Sequence, residues 1–159
     1  MNQFVTKVVL EPIGWVSCSR VEPIDDDWDT IDTTIVLDEN RYSPDSLKGL
    51  ESFSHLEVIY FFHLVSPDSL VTGARHPRDR QDWPQMGIFA QRVKNRPNRL
   101  GLATCKILEV SGCKISVQGL DAINQTPVLD IKPVMSGFLP RGEIREPDWA
   151  REIMADYWS

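Results

Sequence analysis

No stretch of this chain is apolar for long enough to cross a bilayer, so a membrane partner is not expected. Cysteine is scarce. Cys18, Cys105 and Cys113 are an odd set with no metal-like spacing, which argues against a disulfide framework and against a zinc site. Cys105 and Cys113 sit in strand-like runs and read as small buried hydrophobes. No glycine-rich loop follows a strand, so a dinucleotide or P-loop site has no support. No strand–helix–strand alternation is visible, which excludes a parallel sheet. The first residues, Met1-Asn2-Gln3-Phe4-Val5-Thr6-Lys7, lack the apolar core and small-residue cleavage site of a secretion signal. With reduced thiols, the expected compartment is the cytoplasm.

What is present is an ordinary globular composition over 159 residues, 42% hydrophobic and 25% charged, which makes one domain the default. The net charge is −6, an unpromising value for a nucleic-acid partner. Its distribution reverses that reading. From Arg75 to Lys106 eight Lys/Arg (Arg75, Arg78, Arg80, Arg92, Lys94, Arg96, Arg99, Lys106) stand against two acids, Asp79 and Asp82, a segment of +6 on a body of −12. Such a segment can steer a polyanion or hold a phosphate or carboxylate. The plain alternative is a solvated face balanced by acids in three dimensions.

The pattern along the chain is mainly β. Phe4 to Ser19 reads as two strands broken at Pro12-Ile13-Gly14. Asp25, Asp26, Asp27, Asp29 and Asp32 crowd one loop, but their spacing fits no calcium loop. Thr33–Leu37 is a short strand. Ser43-Pro44 opens a helix, with Ser43 as N-cap, that ends by Gly49. Leu56–Leu64, rich in β-branched and aromatic residues, marks a central strand. Residues 66–85 form a long loop. Met86–Arg92 is a strand running into a basic turn, where Asn98 favours a left-handed backbone. Ala103–Val110 and Cys113–Leu120 make a hairpin around Ser111-Gly112. Asn124-Gln125 is a turn, and Pro127–Pro133 is a strand between prolines. Trp149, Ile153 and Tyr157 fall at helical spacing within Asp148–Trp158; that helix caps the core or docks a partner. Short strands, tight turns and few helices favour an antiparallel barrel or sandwich.

Three polar islands adjoin apolar strands. Ser54-His55 precedes the central strand; as neighbours on a pleat they would point to opposite faces and could not bond directly, so capping or ligand binding is favoured over nucleophilic catalysis. Arg96-Pro97-Asn98-Arg99 is a turn flanked by guanidinium groups that can fork onto an anion. Asp130-Ile131-Lys132 places two charges on one face of a strand: a structural ion pair, a wet face, or a carboxylate set to hold an amine or a cation.

Four motifs occur in order. Gly49-Leu50-Glu51 leads into Phe53-Ser54-His55-Leu56 and an apolar strand. Gly87-Ile88-Phe89-Ala90-Gln91-Arg92 follows. Then come Arg96-Pro97-Asn98 with Leu100-Gly101, and Leu120-Asp121 with Thr126-Pro127-Val128-Leu129-Asp130-Ile131-Lys132-Pro133. In this order and spacing the chain resembles the TsaA-like family, which includes TrmO-type tRNA methyltransferases, over about residues 13–133. The resemblance implies a single-domain antiparallel β-barrel, usually a homodimer; the residue pattern adds a few short helices and a C-terminal helical extension at 147–158. It implies S-adenosyl-L-methionine as cofactor and methylation at N6 of threonylcarbamoyl-adenosine in the tRNA anticodon loop. By it, the cofactor contacts fall on Cys18, Ser19, Arg20, Ser54, His55, Met86, Arg96, Val128, Leu129, Asp130 and Ile131. Arg92, Lys94, Asn98 and Arg99 fall on the RNA side. In-line methyl transfer needs alignment and desolvation rather than a nucleophilic side chain, so no catalytic base is named, and no metal. The chain departs from the family's usual residues at Asn124-Gln125, Gln91, Arg99 and Ser17-Cys18-Ser19, which bears on the methyl acceptor more than on the cofactor. The second reading is a non-catalytic S-adenosyl-L-methionine-binding sensor, or an interaction barrel docking through Trp149, Ile153 and Trp158.

Overall fold

The computed structural model describes residues 4–159. Six strands close into an antiparallel barrel: β1 (Gly14–Cys18), β2 (Thr33–Leu37), β3 (His55–Phe61), β6 (Leu100–Ser111), β7 (Lys114–Gln118) and β8 (Pro127–Pro133), in the order β1-β2-β7-β6-β3-β8. A two-residue pair, β4 (Ala74–Arg75) with β5 (Met86–Gly87), stands apart from it. One short α-helix, α1 (Asp148–Ile153), lies near the C-terminus.

The barrel follows from period-two alternation. Along β3, Leu56, Val58 and Tyr60 point inward while His55, Glu57, Ile59 and Phe61 face out. Val16, Ile35, Ala103, Cys105, Ile115, Val117 and Val128 meet them inside. Six strands leave a narrow lumen that side chains fill; Leu56, Val58, Cys105 and Ile115 are fully buried. Any ligand site therefore lies outside the filled lumen, at its mouths or on the outer face. Burial pushes the Cys105 thiol up to about 12, as expected of an inert core cysteine.

Several expectations need correction. Residues 4–11 form no strand, although Val5, Val8 and Val9 have strand chemistry; they find no neighbouring strand and stay exposed. Met86–Arg92 is not a continuous strand. It pairs for two residues and then tightens into a 3-10 turn at Ile88–Ala90, while the Gln91 amide donates to the carbonyls of Arg75 and Met86 at 3.1 and 2.8 Å. The helix opened by Ser43-Pro44 is one 3-10 turn, Pro44–Leu47, with no side-chain cap from Ser43. Ser111 pairs with Lys114, so Gly112 and Cys113 make the hairpin turn, with Gly112 at φ 59°. Arg99, not Asn98, takes the left-handed backbone, at φ 51°. Its guanidinium stacks 4.4 Å over Phe61 and donates to the Val65 carbonyl at 2.8 Å, contacts that offset the strain.

The C-terminal helix is shorter than its apolar spacing predicts. Past Ile153 the chain turns, and the carbonyls of Asp156, Tyr157 and Trp158 accept from the amides of Asp27, Trp28 and Asp29. This binds the tail to the acidic loop. Trp83 donates to Glu152 at 2.6 Å, and Tyr157 donates to Asp121 at 2.5 Å. The tail packs on the acidic loop and beside the outer face of β6 and β7.

Candidate functional site

The singled-out residues fall into two groups, at opposite ends of β3. At its N-terminal end lie Ser54 and His55. Ser54 Oγ and His55 Nδ1 are 2.8 Å apart. This corrects the expectation from alternation: Ser54 sits in a bend before the strand begins, so the pleat does not govern it. The Ser54 carbonyl accepts from the Ile107 amide at 2.9 Å, where the β6–β7 register shifts. Beside this corner is a cavity of about 290 Å³ lined by Ser46, Leu47, Lys48, Gly49, Leu50, Phe53, Ile131 and Pro133. The Gly49-Leu50-Glu51 motif forms one wall, and β8 forms the other.

β8 is central by strand order, not an edge, yet half of it behaves as one. It pairs with β3 from Pro133 to Val128, but with β1 only at Val128 and Pro127. Val134 donates to the His55 carbonyl. By alternation Lys132 and Asp130 face β3 with their backbone groups, and Ile131 faces away. The Ile131 amide is met by the Asp130 carboxylate at 3.0 Å. Asp130 also pairs with Lys132 at 2.7 Å on the wet outer face. Val128 has its side chain fully buried, and its carbonyl accepts from Ile13 at 2.8 Å. Past Val128, β8 therefore has no partner strand on its β1 side, and Ile131 on that edge lines the cavity.

At the other end of β3 lies the basic loop. Arg96 donates to the Gln91 carbonyl at 3.1 Å, Lys94 to Pro23 at 3.5 Å, and Arg92 to the Leu102 carbonyl. The Arg99 carbonyl takes the Phe62 amide at 2.8 Å. Asn98 is exposed. Met86 reaches this group through Gln91. Cys18 and Arg20 join it from β1: the Cys18 amide donates to Asn124 Oδ1, and Arg20 donates to the Asp26 and Asp27 carbonyls while stacking on Trp28 at 4.3 Å. Ser19 lies between them, exposed. Burial raises the Cys18 thiol, opposed by its contacts with Arg20.

The +6 segment divides in two. Arg75, Arg78 and Arg80 are paired with Asp79, Asp26 and Asp82. Among the described residues, Arg92, Lys94, Arg96, Arg99 and Lys106 are in no ion pair. Arg92, Lys94, Arg96 and Arg99 are held by carbonyl oxygens, which fix position without cancelling charge. The loop is thus electropositive and tied to its surroundings through these carbonyls. Among the described residues no group of three or more His, Cys, Asp or Glu is placed to hold a metal ion, and no helix is long and apolar enough to cross a membrane.

One polar network carried no clear signal in the sequence. Asp121 accepts from Tyr60 at 2.7 Å and from Tyr157 at 2.5 Å. Burial and the carboxylate push both phenols well up. Asp121 stood out only as part of a motif, and its partners are 61 and 36 residues away.

The model of the tRNA-methyltransferase O N-terminal domain matches residues 22–138. The chain belongs to the TrmO N-terminal-domain family. Among relatives of this family, a human tRNA (adenine(37)-N6)-methyltransferase is 37% identical over 102 residues, 64% of this chain and 23% of that protein. The probable S-adenosyl-L-methionine-binding protein VirR of Rhizobium radiobacter is 41% identical over 101 residues, 64% of this chain and 55% of that protein. A crystal structure of TrmO from Pseudomonas aeruginosa superposes with a TM-score of 0.71 at 23% identity, covering 88% of this chain and 61% of that one. The chain thus spans from about a quarter to three-fifths of these proteins' lengths. The structural match speaks to the TrmO fold, and the closed six-stranded barrel agrees with it.

Proposed function

We propose that this chain binds S-adenosyl-L-methionine and methylates N6 of an adenosine in tRNA, threonylcarbamoyl-adenosine of the anticodon loop being the acceptor, in the cytoplasm. The observation that carries the cofactor reading is the open half of β8 beside the cavity. There β8 meets no partner strand on its β1 side past Val128, and the strand edge at Ile131 suits the edge of an adenine. The names of the human and Rhizobium relatives point the same way. When bound, the cofactor supplies a methyl on sulfonium; the S–C bond breaks as the N–C bond forms, and the acceptor nitrogen's proton passes to solvent.

The chain's own residues have three tasks. Ser54, bonded to His55, fixes the corner that follows Phe53 of the cavity lining. Asp130 offers a carboxylate to the cofactor's ammonium group. Arg96, anchored through one nitrogen, keeps donors free for a carboxylate or phosphate. Positioning of this kind is most of what an in-line transfer asks of a protein.

Ser54-His55 and the Arg96 loop stand about 20 Å apart, the length of a seven-residue strand. A cavity of about 290 Å³ is at the small end for a whole cofactor. We infer a homodimer in which the Arg96–Arg99 loop of one copy closes the Ser54-His55 corner of the other. Arg92, Lys94, Asn98 and Arg99 then face the RNA.

The deciding experiment is transfer of labelled methyl from S-adenosyl-L-methionine to tRNA from a strain lacking this protein, with calorimetry of cofactor binding alongside. Incorporation at N6 of the modified adenosine is the expected result. Cofactor binding without transfer would favour the sensor reading, and no binding at millimolar concentration would end both.

A further inference from the structure

We propose that a depression on the outer face of the barrel, walled by Trp158, holds one unstacked base of a single-stranded RNA, with Lys106 on its phosphate. The inference rests on the tRNA reading above and adds the place where the RNA is gripped.

The depression measures about 270 Å³ and is lined by Asp29, His55, Thr104, Lys106, Gln118, Gly119 and Trp158. His55, Lys106 and Gln118 lie side by side across β3, β6 and β7. Each faces out, because Leu56, Cys105 and Val117 next to them are buried. Their strands are roughly 4.8 Å apart, so they make a polar floor about 10 Å wide.

Trp158 is the wall, and it is set in place by the fold. Its carbonyl accepts from Asp29 at 3.3 Å, and the neighbouring Tyr157 is bonded to Asp121 and to the Trp28 amide. Gly119, whose φ of +82° favours glycine, lies beneath the ring: a Cβ there would stand in ordinary contact, 3.8 Å from Trp158 Cζ3. An indole fixed over a polar, open floor is a stacking platform for a base, since every base has a π-face.

Charge supports the same occupant. Lys106 is in no ion pair among the described residues. Arg92 bonds the Leu102 carbonyl on the same strand. The outer face of β6 thus joins the electropositive loop to the depression over about 20 Å, a track for a few nucleotides. Asp29 on the rim repels phosphate, which puts the phosphate at Lys106 and leaves Asp29 to accept from a base amino group. Trp158 lies outside residues 22–138, so this wall is a property of the segment beyond the family's matched region.

The test is titration of a fluorescein-labelled, unmodified tRNA anticodon stem-loop, with duplex RNA of equal length as control and cofactor calorimetry in parallel. Trp158→Ala weakens stem-loop binding by about tenfold or more, while Trp158→Phe stays close to the parent. Lys106→Gln lowers affinity and flattens the salt slope by about 0.7 to 0.9. Cofactor binding is unchanged in all three. Should Trp158→Ala fail to fold, Trp158→Leu keeps apolar bulk without a stacking face and carries the same expectation. Equal stem-loop binding by the parent and the ring-less variant overturns this inference alone. A parent that binds cofactor but no RNA overturns it too. A parent that binds no cofactor brings down the reading beneath it.

Discussion

Asp121→Ala removes the carboxylate that two tyrosines share across long sequence separations. Tyr60 is fully buried, with its ring against Gly101, where a Cβ would lie 2.3 Å from ring carbons. Its hydroxyl cannot move far, and it keeps a weaker acceptor in the Asp121 carbonyl at 3.1 Å. Tyr157 is partly exposed and can turn to water. Hydrogen bonds to a charged group contribute about 1.5–3 kcal/mol each. With the retained carbonyl and the access to water, the expected net loss is about 2–3 kcal/mol. That lowers Tm by roughly 5–10 °C for a chain of this size. Tyr157→Phe alone should cost about 1 kcal/mol. The double variant should be little worse than Asp121→Ala, because the bond lost in Tyr157→Phe is already gone. Urea midpoints of the four proteins give the cycle. Limited proteolysis should cut the 148–158 segment faster in both single variants. Additive effects, or a loss under about 0.5 kcal/mol for Asp121→Ala, would refute the view that this carboxylate ties the tail to the barrel.

Three further outcomes follow from the packing and charge. Cys105, raised to about 12, and Tyr60 and Tyr157, raised above 10, all stay protonated in the fold at pH values where the unfolded chain loses those protons. Their contribution is complete below their unfolded pKa values and falls as pH rises, from about pH 9 for Cys105 and about pH 10 for the phenols; urea midpoints against pH should show this, and Cys105→Ala should remove the earlier part. Gly14→Ala puts a Cβ 2.2 Å from the Val36 carbonyl oxygen, whereas Gly87 has open space; the first should cost about 3 kcal/mol or more and the second well under 1, measured by thermal melts. Arg92→Gln with Lys94→Gln should leave cofactor affinity unchanged and flatten the salt dependence of tRNA binding by about 1.5 in log–log slope.

Much of the barrel was legible from local pattern. β2, β3, the β6–β7 hairpin and β8 each carry alternation or β-branched runs that match what they bury. The misses share a cause. Val5, Val8 and Val9 have strand chemistry but no partner, and pairing is not written in a single segment. Met86–Arg92 looked like a strand because Ile88 is apolar, yet one buried residue is satisfied by a turn that Gln91 locks from its side chain. The Ser54–His55 bond was excluded by a pleat that had not begun. Asn98 was the better residue for a left-handed turn by intrinsic preference, and the Phe61 ring and Val65 carbonyl moved that conformation to Arg99. The candidate site residues read as polar islands; that they stand at two ends of one strand follows from β3's length and registry.

The junction of β1 with β8 has a consequence for how the barrel breathes. Two residue pairs hold it shut, with the bonds from Ile13 to Val128 and Val16 to Thr126 and those from Gln125 to Val16 and Asn124 to Arg20 just before β8, while β8 grips β3 along nearly its whole length. Local opening is cheapest where the fewest bonds break. The barrel therefore behaves as a curled sheet with a zip, and β3 carries β8 as a flap when the zip parts. A guest lying along Leu129 to Ile131 would bridge the two lips and hold them together. Amides on either side of this zip, rather than those of the filled lumen, would then be the ones whose hydrogen exchange slows when the guest arrives.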